Sequence, residues 1–532
     1  MVELAMILGI FSYLILGLGI MGNLGPPRLD RVETGVLRSL GIIILFSIIF
    51  LAIKKKFWVF FIDLWQETKN DKISLLFIGL LSFQGLVNVI GVLGPELGFD
   101  ALWYHLTIPK IFLQQGRIFF IKGNLFYYNA MPKLTEMFYL VSLAFSPSGL
   151  LAKTIHFLFG IGCIFGLFNL SRRFLKTREV LLACLVFYTT LIVGWQSITA
   201  YVDLARTFFE IISLDLFLKW LDDKNKKIFL MESAIVLGLA ISTKLLAFAS
   251  LPIFLILIFF KTKKISLAAG YLLLATFVPL PWFVFSYLYT KNPIYPIFSN
   301  ILDQSHNFIQ FNLLNAIKDL WTIFYHPADL VSPIYLIFLP IILFRVIRGG
   351  LKAEIKTLFN YLLLAMLFWY FTPRTGGSRF LLPYLPALSV LWVYFLSAEN
   401  NFLKKTFLYL AITISIINIS YRILANLKFV PIIIGRQSKN EFLSQRLDFN
   451  NGDFLDINGE IKKIVKKNYV KIENSHNLFY ADFPFIHSSF FDNFPVGYVL
   501  TQGNDQLKQE YGNLVYSNQK TGVRLYLYKG KI

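Results

Sequence analysis

Charge is scarce in this chain of 532 residues: Asp, Glu, Lys and Arg together make up 15% of it, and 56% is hydrophobic. That balance excludes an ordinary soluble enzyme, in which about a quarter of the residues are charged. Cysteine is almost missing. Cys163 and Cys184 both fall inside apolar runs, where they read as small buried side chains rather than disulfide partners or metal ligands. Histidine is sparse too, and His306, His326, His476 and His487 show no metal-ligand spacing. His156, on an apolar face, reads as structural. There is no Walker pattern or glycine-rich nucleotide cradle, and no internal repeat or low-complexity linker. Acidic residues number 31 against 51 basic ones, giving a formal charge of +20. The basic residues sit mostly in short loops between apolar runs, so the excess reads as membrane orientation, not as a nucleic-acid surface. No basic residue precedes the first apolar run, which follows Glu3; it is expected to be a retained anchor rather than a cleaved leader.

What the chain does have is apolar runs approaching the roughly 20 residues needed to cross about 30 Å of hydrocarbon. Lipid leaves the helix as the way to satisfy their backbone groups. The expected fold is a mainly α, polytopic bundle of about thirteen transmembrane helices with a small C-terminal α/β domain. The expected spans are 4–21, 36–53, 73–93, 150–170, 180–200, 204–218, 228–242, 245–260, 265–287, 333–344, 358–371, 380–396 and 407–424. FWVFFIDLWQE at 57–67 is too short to cross and is expected along the interface. So are 101–115 and 133–145, because a crossing at 133–145 would place Arg172, Arg173, Lys176 and Arg178 on the wrong side. The expected domains are a membrane module, 1–428, with outer loops at 94–133 and 291–332, and an extracytoplasmic α/β domain, 429–532. Within the second loop, a surface helix is expected through 312–321.

The chemistry-bearing residues gather at the outer ends of these spans. Glu96, Asp100, Tyr104 and His105 lie in the first loop, Asp203 at the mouth of a later span, Lys244 at a hairpin tip, and Arg374 and Arg379 around TPRTGGSR. Ionisable groups at membrane depth are costly and usually face a cavity, a partner or water. Two carboxylates and several cations at one level suit a phosphate-bearing substrate: one acid takes a proton while the cations hold the phosphate that leaves. Asp100 would be the base, and Arg379, Lys244 or Lys133 the cations. Each also has a plainer reading. Asp100 can cap the helix after it, Asp203 can pair with Arg206 one turn on, the arginines can snorkel, Lys244 can reach lipid headgroups, and His105 can be structural.

Seven segments in order, GFDALWYHLTIPKIFLQQGRI, AMPKLTEMFYLVSLAF, NLSRRFLKTREVLLACLVF, SITAYVDLARTFFEI, GLAISTKLLAF, PWFVFSYLYTKNPIYP and SRFLLPYLPALSVL, make the chain resemble the GT-C superfamily of integral-membrane glycosyltransferases. The likeness is to the branch of protein O-mannosyltransferases and the aminoarabinose-to-lipid A transferase, and covers about 93–396. The resemblance implies a catalytic acid at Asp100, a second acidic position at Asp203, and a phosphate-contacting lysine at Lys133. It also implies a polyprenyl-phosphate-linked sugar donor, a lipid, glycan or protein acceptor, and an active site on the extracytoplasmic face of a multi-pass protein of the bacterial cytoplasmic membrane. Asp100 is followed by Ala101 where members commonly carry Asp-Glu, so a divalent metal stays an open alternative. Two other functions stay open: an oligosaccharide polymerase or ligase using a lipid pyrophosphate donor, and a lipid-linked sugar transporter or flippase. The missing repeat weighs against the last.

Overall fold

The computed structural model describes residues 1–25, 35–123, 125–299, 331–349, 352–371, 377–490, 496–503 and 511–528, with isolated positions between 312 and 318. Helices α1 (Val2–Ile20) and α2 (Gly35–Lys54) run antiparallel, and Glu3 at the start of one pairs with Lys55 just past the end of the other at 2.9 Å. Helix α3 (Phe57–Thr68) is the short aromatic segment; its Phe57, Phe60 and Phe61 pack edge-on against Phe165. Trp58, Ile62 and Trp65 stay exposed, as a lipid-facing surface would be. Helix α4 (Lys72–Leu93) starts at Asp71, whose side chain accepts from the Ile73 amide, and leads into the loop holding Asp100.

That loop contains a turn of π-helix (Ala101–His105) and α5 (Thr107–Gln115), closed by Gly116 with φ +66°, the left-handed stop glycine tolerates best. Next comes α6 (Leu134–Phe145), which differs from the expected interfacial helix. Every residue from Leu134 to Ala144 is buried. Ser12 donates to the Leu134 carbonyl at 3.0 Å and Arg38 to that of Ala144 at 2.8 Å, so α6 threads between its neighbours. LTEMFYLVSLAF offers apolar groups nearly all round, and such a helix belongs inside.

Helix α7 (Leu150–Ser171) crosses the bundle. The single span expected at 180–200 is instead α8 (Thr177–Tyr188) and α9 (Leu191–Gln196). At the break, the Thr189 and Thr190 hydroxyls bond back to the Leu185 and Val186 carbonyls, both at 2.8 Å, a habit that favours bends. Then follow α10 (Asp203–Asp222), α11 (Lys227–Thr243), α12 (Ser250–Thr262), and α13 (Ile265–Phe277) with α14 (Leu280–Thr290), bent by 65° across Pro279. Helices α15 (Pro333–Arg348), α16 (Ala353–Tyr370), α17 (Leu385–Ser397) and α18 (Asn401–Leu427) complete the bundle. Among the described residues, seven helical segments are long and apolar enough to cross a membrane, or eight with the bent pair as one, not the thirteen expected. The others fall short for visible reasons: α8 has 12 residues, and α10 carries Asp203, Arg206, Glu210, Asp215 and Lys219.

The two ends of the bundle differ. At one, Arg172 pairs with Glu67, Arg178 with Asp71, Arg345 with Glu399 and Lys404 with Glu179. At the other lie Asp100, the start of α10 and the C-terminal region. The latter holds five strands, β1 (Val470–Ile472), β2 (Phe485–His487), β3 (Tyr498–Gln502), β4 (Asn513–Asn518) and β5 (Val523–Leu527), in the order β2-β1-β3-β5-β4. β1 is parallel to β2 and β3, and β5 antiparallel to β3 and β4. This region sits on the Asp100 loop. Lys110 donates to the Phe479 and Ala481 carbonyls at 2.8 and 2.7 Å, and the Tyr480 hydroxyl to the Glu96 carbonyl at 2.8 Å. Burial draws the Lys110 ammonium down to about 8.

The exit of α4 toward the loop is held by Lys153, a buried side chain of α7 that donates to the carbonyls of Gly91 at 2.9 Å and Gly94 at 2.6 Å. Lys153→Met strips a donor from the orphan carbonyls of that helix end and is expected to cost about 1–3 kcal/mol of stability. Thermal melting of the detergent-purified protein measures this; an unchanged melting temperature contradicts the assignment.

Candidate active site

The start of α10 is fixed before any ligand is considered. His156 accepts the Leu204 amide on Nε2 at 3.0 Å, and its Nδ1 donates to the Thr199 carbonyl at 2.8 Å. Because a carbonyl only accepts, Nδ1 carries the proton and the ring is a neutral clamp. Glu96 is the second clamp: one carboxylate oxygen takes the amides of Leu97 (2.9 Å) and Gly98 (2.6 Å), the other the amide of Ala200 (2.6 Å). The approach requires glycine at 98, where a Cβ would fall 2.7 Å from the Tyr201 ring. Tyr201 completes the join by accepting the Asp100 amide at 3.1 Å on its hydroxyl, while its carbonyl takes the hydroxyl proton of Tyr139. The Asp100 loop and the α10 start are thereby one unit.

On that unit stand two ion pairs. Arg379 Nη1 meets Asp100 Oδ2 at 2.7 Å, and Lys244 Nζ meets Asp203 Oδ1 at 2.7 Å. All four side chains are largely withdrawn from solvent, 14% and 11% exposed for Asp100 and Arg379, 2% and 16% for Asp203 and Lys244. Rings hold the cations: Arg379 lies over Tyr201 at 5.1 Å, and Lys244 over Phe380 at 4.8 Å. Burial pulls the Lys244 ammonium below the usual lysine range, and Asp203 opposes it. Asp203 Oδ2 and Arg379 Nε are buried with no hydrogen-bond partner among the described residues.

The remaining expected residues are not all in this cluster. Tyr104 is buried against Tyr128, stacked at 3.8 Å, and burial lifts its phenol far above the usual range. His105 Nδ1 pairs with Glu136 at 2.8 Å. Lys133 is buried, donating to the carbonyls of Tyr128 and Met131, and burial draws it down to about 7. Glu96 spends both oxygens on backbone, as above. Arg374, most of the 291–332 loop and its expected surface helix lie outside the described residues. The expected Asp203–Arg206 pair is not formed: Arg206 instead meets Glu210 at 2.6 Å, inside the bundle. Sequence reasoning missed Tyr201, Glu136 and Lys153. A lone charge in an apolar run marks Lys153 and Glu136 as costly and therefore engaged; Tyr201 carries no comparable signal. Among the described residues, no three His, Cys, Asp or Glu groups converge to hold a metal, and Asp100 and Asp203 are each paired with a cation.

No family model matches the chain, and no curated protein matches it in sequence. Solved structures do. ArnT from Cupriavidus metallidurans bound to undecaprenyl phosphate superposes with a TM-score of 0.60 at 13% identity, over 85% of this chain and 97% of that one. Its apo state gives 0.55 at 12%, with the same coverage. The chain has the fold of these ArnT structures. The Archaeoglobus fulgidus oligosaccharyltransferase in complex with zinc and sulfate aligns at 0.46 with 15% identity, over 84% of this chain and 72% of that one.

Breaking one ion pair strands its partner. Lys244→Met leaves Asp203 buried and uncompensated and is expected to cost about 3–5 kcal/mol, most of it recovered when Asp203→Asn is added. A melting series of the two single variants and the double variant tests this; additive losses contradict it. Lys133 gives a pH test. Its folded value of about 7 lies below the ordinary 10.5, so the unfolded chain holds the proton more tightly and stability falls as pH drops from 10.5 through 7. Lys133→Met should flatten that slope in melts between pH 6.5 and about 9; an unaltered slope removes Lys133 as its source.

Proposed function

We propose that the chain transfers a sugar from a polyprenyl-phosphate donor to an acceptor hydroxyl, with Asp100 as general base and Arg379 and Lys244 as the cations that receive the phosphate. The observation that carries this reading is the Arg379–Asp100 contact beside the Asp203–Lys244 pair. Two carboxylates and two cations cancel, so the cluster is formally neutral before substrate arrives. The donor brings a phosphodiester with one negative charge. The acceptor oxygen attacks the anomeric carbon, the carbon–oxygen bond to phosphate breaks, and the acceptor proton moves to Asp100. Protonation removes the charge that held Arg379, and the phosphate gains one as it departs. Arg379 is then released to the leaving group at the moment its charge grows, a stabilisation specific to the transition state.

Support for a lipid-phosphate donor comes from the ArnT structure, which was solved with undecaprenyl phosphate bound. The charge distribution supports one sidedness. The paired Lys- and Arg-rich end would face the cytosol, so Asp100, its loop and the strand-bearing C-terminal region would face the extracytoplasmic side of a multi-pass membrane protein. Lys133 does not share the cluster; its ammonium braces the turn at Tyr128–Met131. Asp203 acts on Lys244, aiming it, rather than on substrate.

Asp100→Asn is expected to lower transfer by about a thousandfold or more, while undecaprenyl phosphate still protects the purified variant against heat. Arg379→Lys should weaken that protection as well, since a lysine cannot reproduce the forked contact. Full turnover by the Asn variant removes Asp100 from the mechanism.

A further inference from the structure

Beside Asp100 lies a set of rings that the ion pairs do not use. Phe99 keeps 42% of its surface exposed and meets the His476 ring at 5.2 Å and that of Trp103 at 5.8 Å, both edge-on. Trp103 in turn contacts His476 at 5.6 Å and Tyr127 at 6.2 Å, and its indole is fixed by a 3.1 Å hydrogen bond to the Leu125 carbonyl. Trp103, Tyr127 and His476 are each half-buried. His476 comes from the strand-bearing C-terminal region. Its amide donates to the Gly452 carbonyl at 3.1 Å, and a Cβ on Gly452 would fall 2.3 Å from Nδ1, so the imidazole rests on bare backbone.

We propose that Phe99, Trp103, Tyr127 and His476 form an acceptor subsite for a pyranose ring, so that the hydroxyl receiving the transferred sugar belongs to a saccharide. The inference rests on the reading of Asp100 as base. An acceptor hydroxyl within hydrogen-bond reach of Asp100 places the rest of the acceptor against the neighbouring residue, Phe99, and the rings behind it. A sugar ring has apolar C–H faces and a rim of hydroxyls. Partly exposed aromatic rings with polar edges, the Tyr127 hydroxyl and the imidazole nitrogens of His476, match both. The C-terminal region thereby supplies one wall of the site through His476.

The test uses the full-length protein in detergent and saturation-transfer NMR with free trisaccharides of glucose, mannose and N-acetylglucosamine, beside a serine-containing pentapeptide. At least one trisaccharide is expected to bind, with an affinity about tenfold lower in Phe99→Ala, Phe99→Leu and His476→Ala. The Leu variant keeps the apolar bulk and removes only the ring, and melting temperature together with protection by undecaprenyl phosphate should be unchanged in all three. Binding of the peptide alone, of no trisaccharide, or of a trisaccharide equally well by every variant overturns the subsite. Ring-dependent trisaccharide binding in a protein that undecaprenyl phosphate does not protect would uphold the subsite and refute the donor reading.

Discussion

The carboxylate of Asp100 and the guanidinium of Arg379 are separated by 279 positions in the chain and by 2.7 Å in space. A buried pair of this kind gains little over apolar packing, because desolvation takes back most of the attraction, yet it is costly to break one-sidedly. Its presence therefore imposes an arrangement more than it adds stability. The 3-10 segment Gly377–Tyr384 that leads into α17, the loop after α4, the start of α10 and the hairpin at Lys244 must all reach one point before either aspartate has its counter-charge. Much of the remaining structure serves that meeting: the Glu96 and His156 clamps, the Tyr201 hydrogen bonds, the bare backbone at Gly98, and Lys153 beneath the exit of α4.

The site is accordingly stiff where charge is held. Backbone groups of the Asp100 loop are taken up by side chains from distant segments, which limits the reorganisation that a reaction would otherwise pay for. Among the described residues, Arg379 Nε is a buried donor without a hydrogen-bond partner and sits among these fixed groups.

Some of this was legible in the sequence. Apolar runs of the right length gave α1, α2, α4 and α7 to within two residues, and α18 with its first turns missed, because lipid enforces length and composition together. Asp100, Asp203, Lys244 and Arg379 stood out because charges beside apolar runs are expensive, and the structure brings these four together. What was not legible depends on long-range geometry. Nothing local shows that the Glu96 oxygens are spent on amides of Leu97, Gly98 and Ala200, or that Arg206 turns to Glu210 instead of Asp203; both are settled by which helices pack side by side. The break at Thr189–Thr190 and the burial of α6 were hidden for a related reason. Hydropathy counts apolar residues but does not say whether they face lipid or protein.

Helix α6 carries a consequence for how the molecule is made. Twelve residues rise about 18 Å, well short of the hydrocarbon thickness, so this segment cannot be released sideways into lipid as an independent span. It packs against α1, α2 and α5, made before it, and against α7 and α11, made after it. The burial of α6 is therefore complete only when α7 and α11 are in place, so its environment is set by helices on both sides of it in the chain.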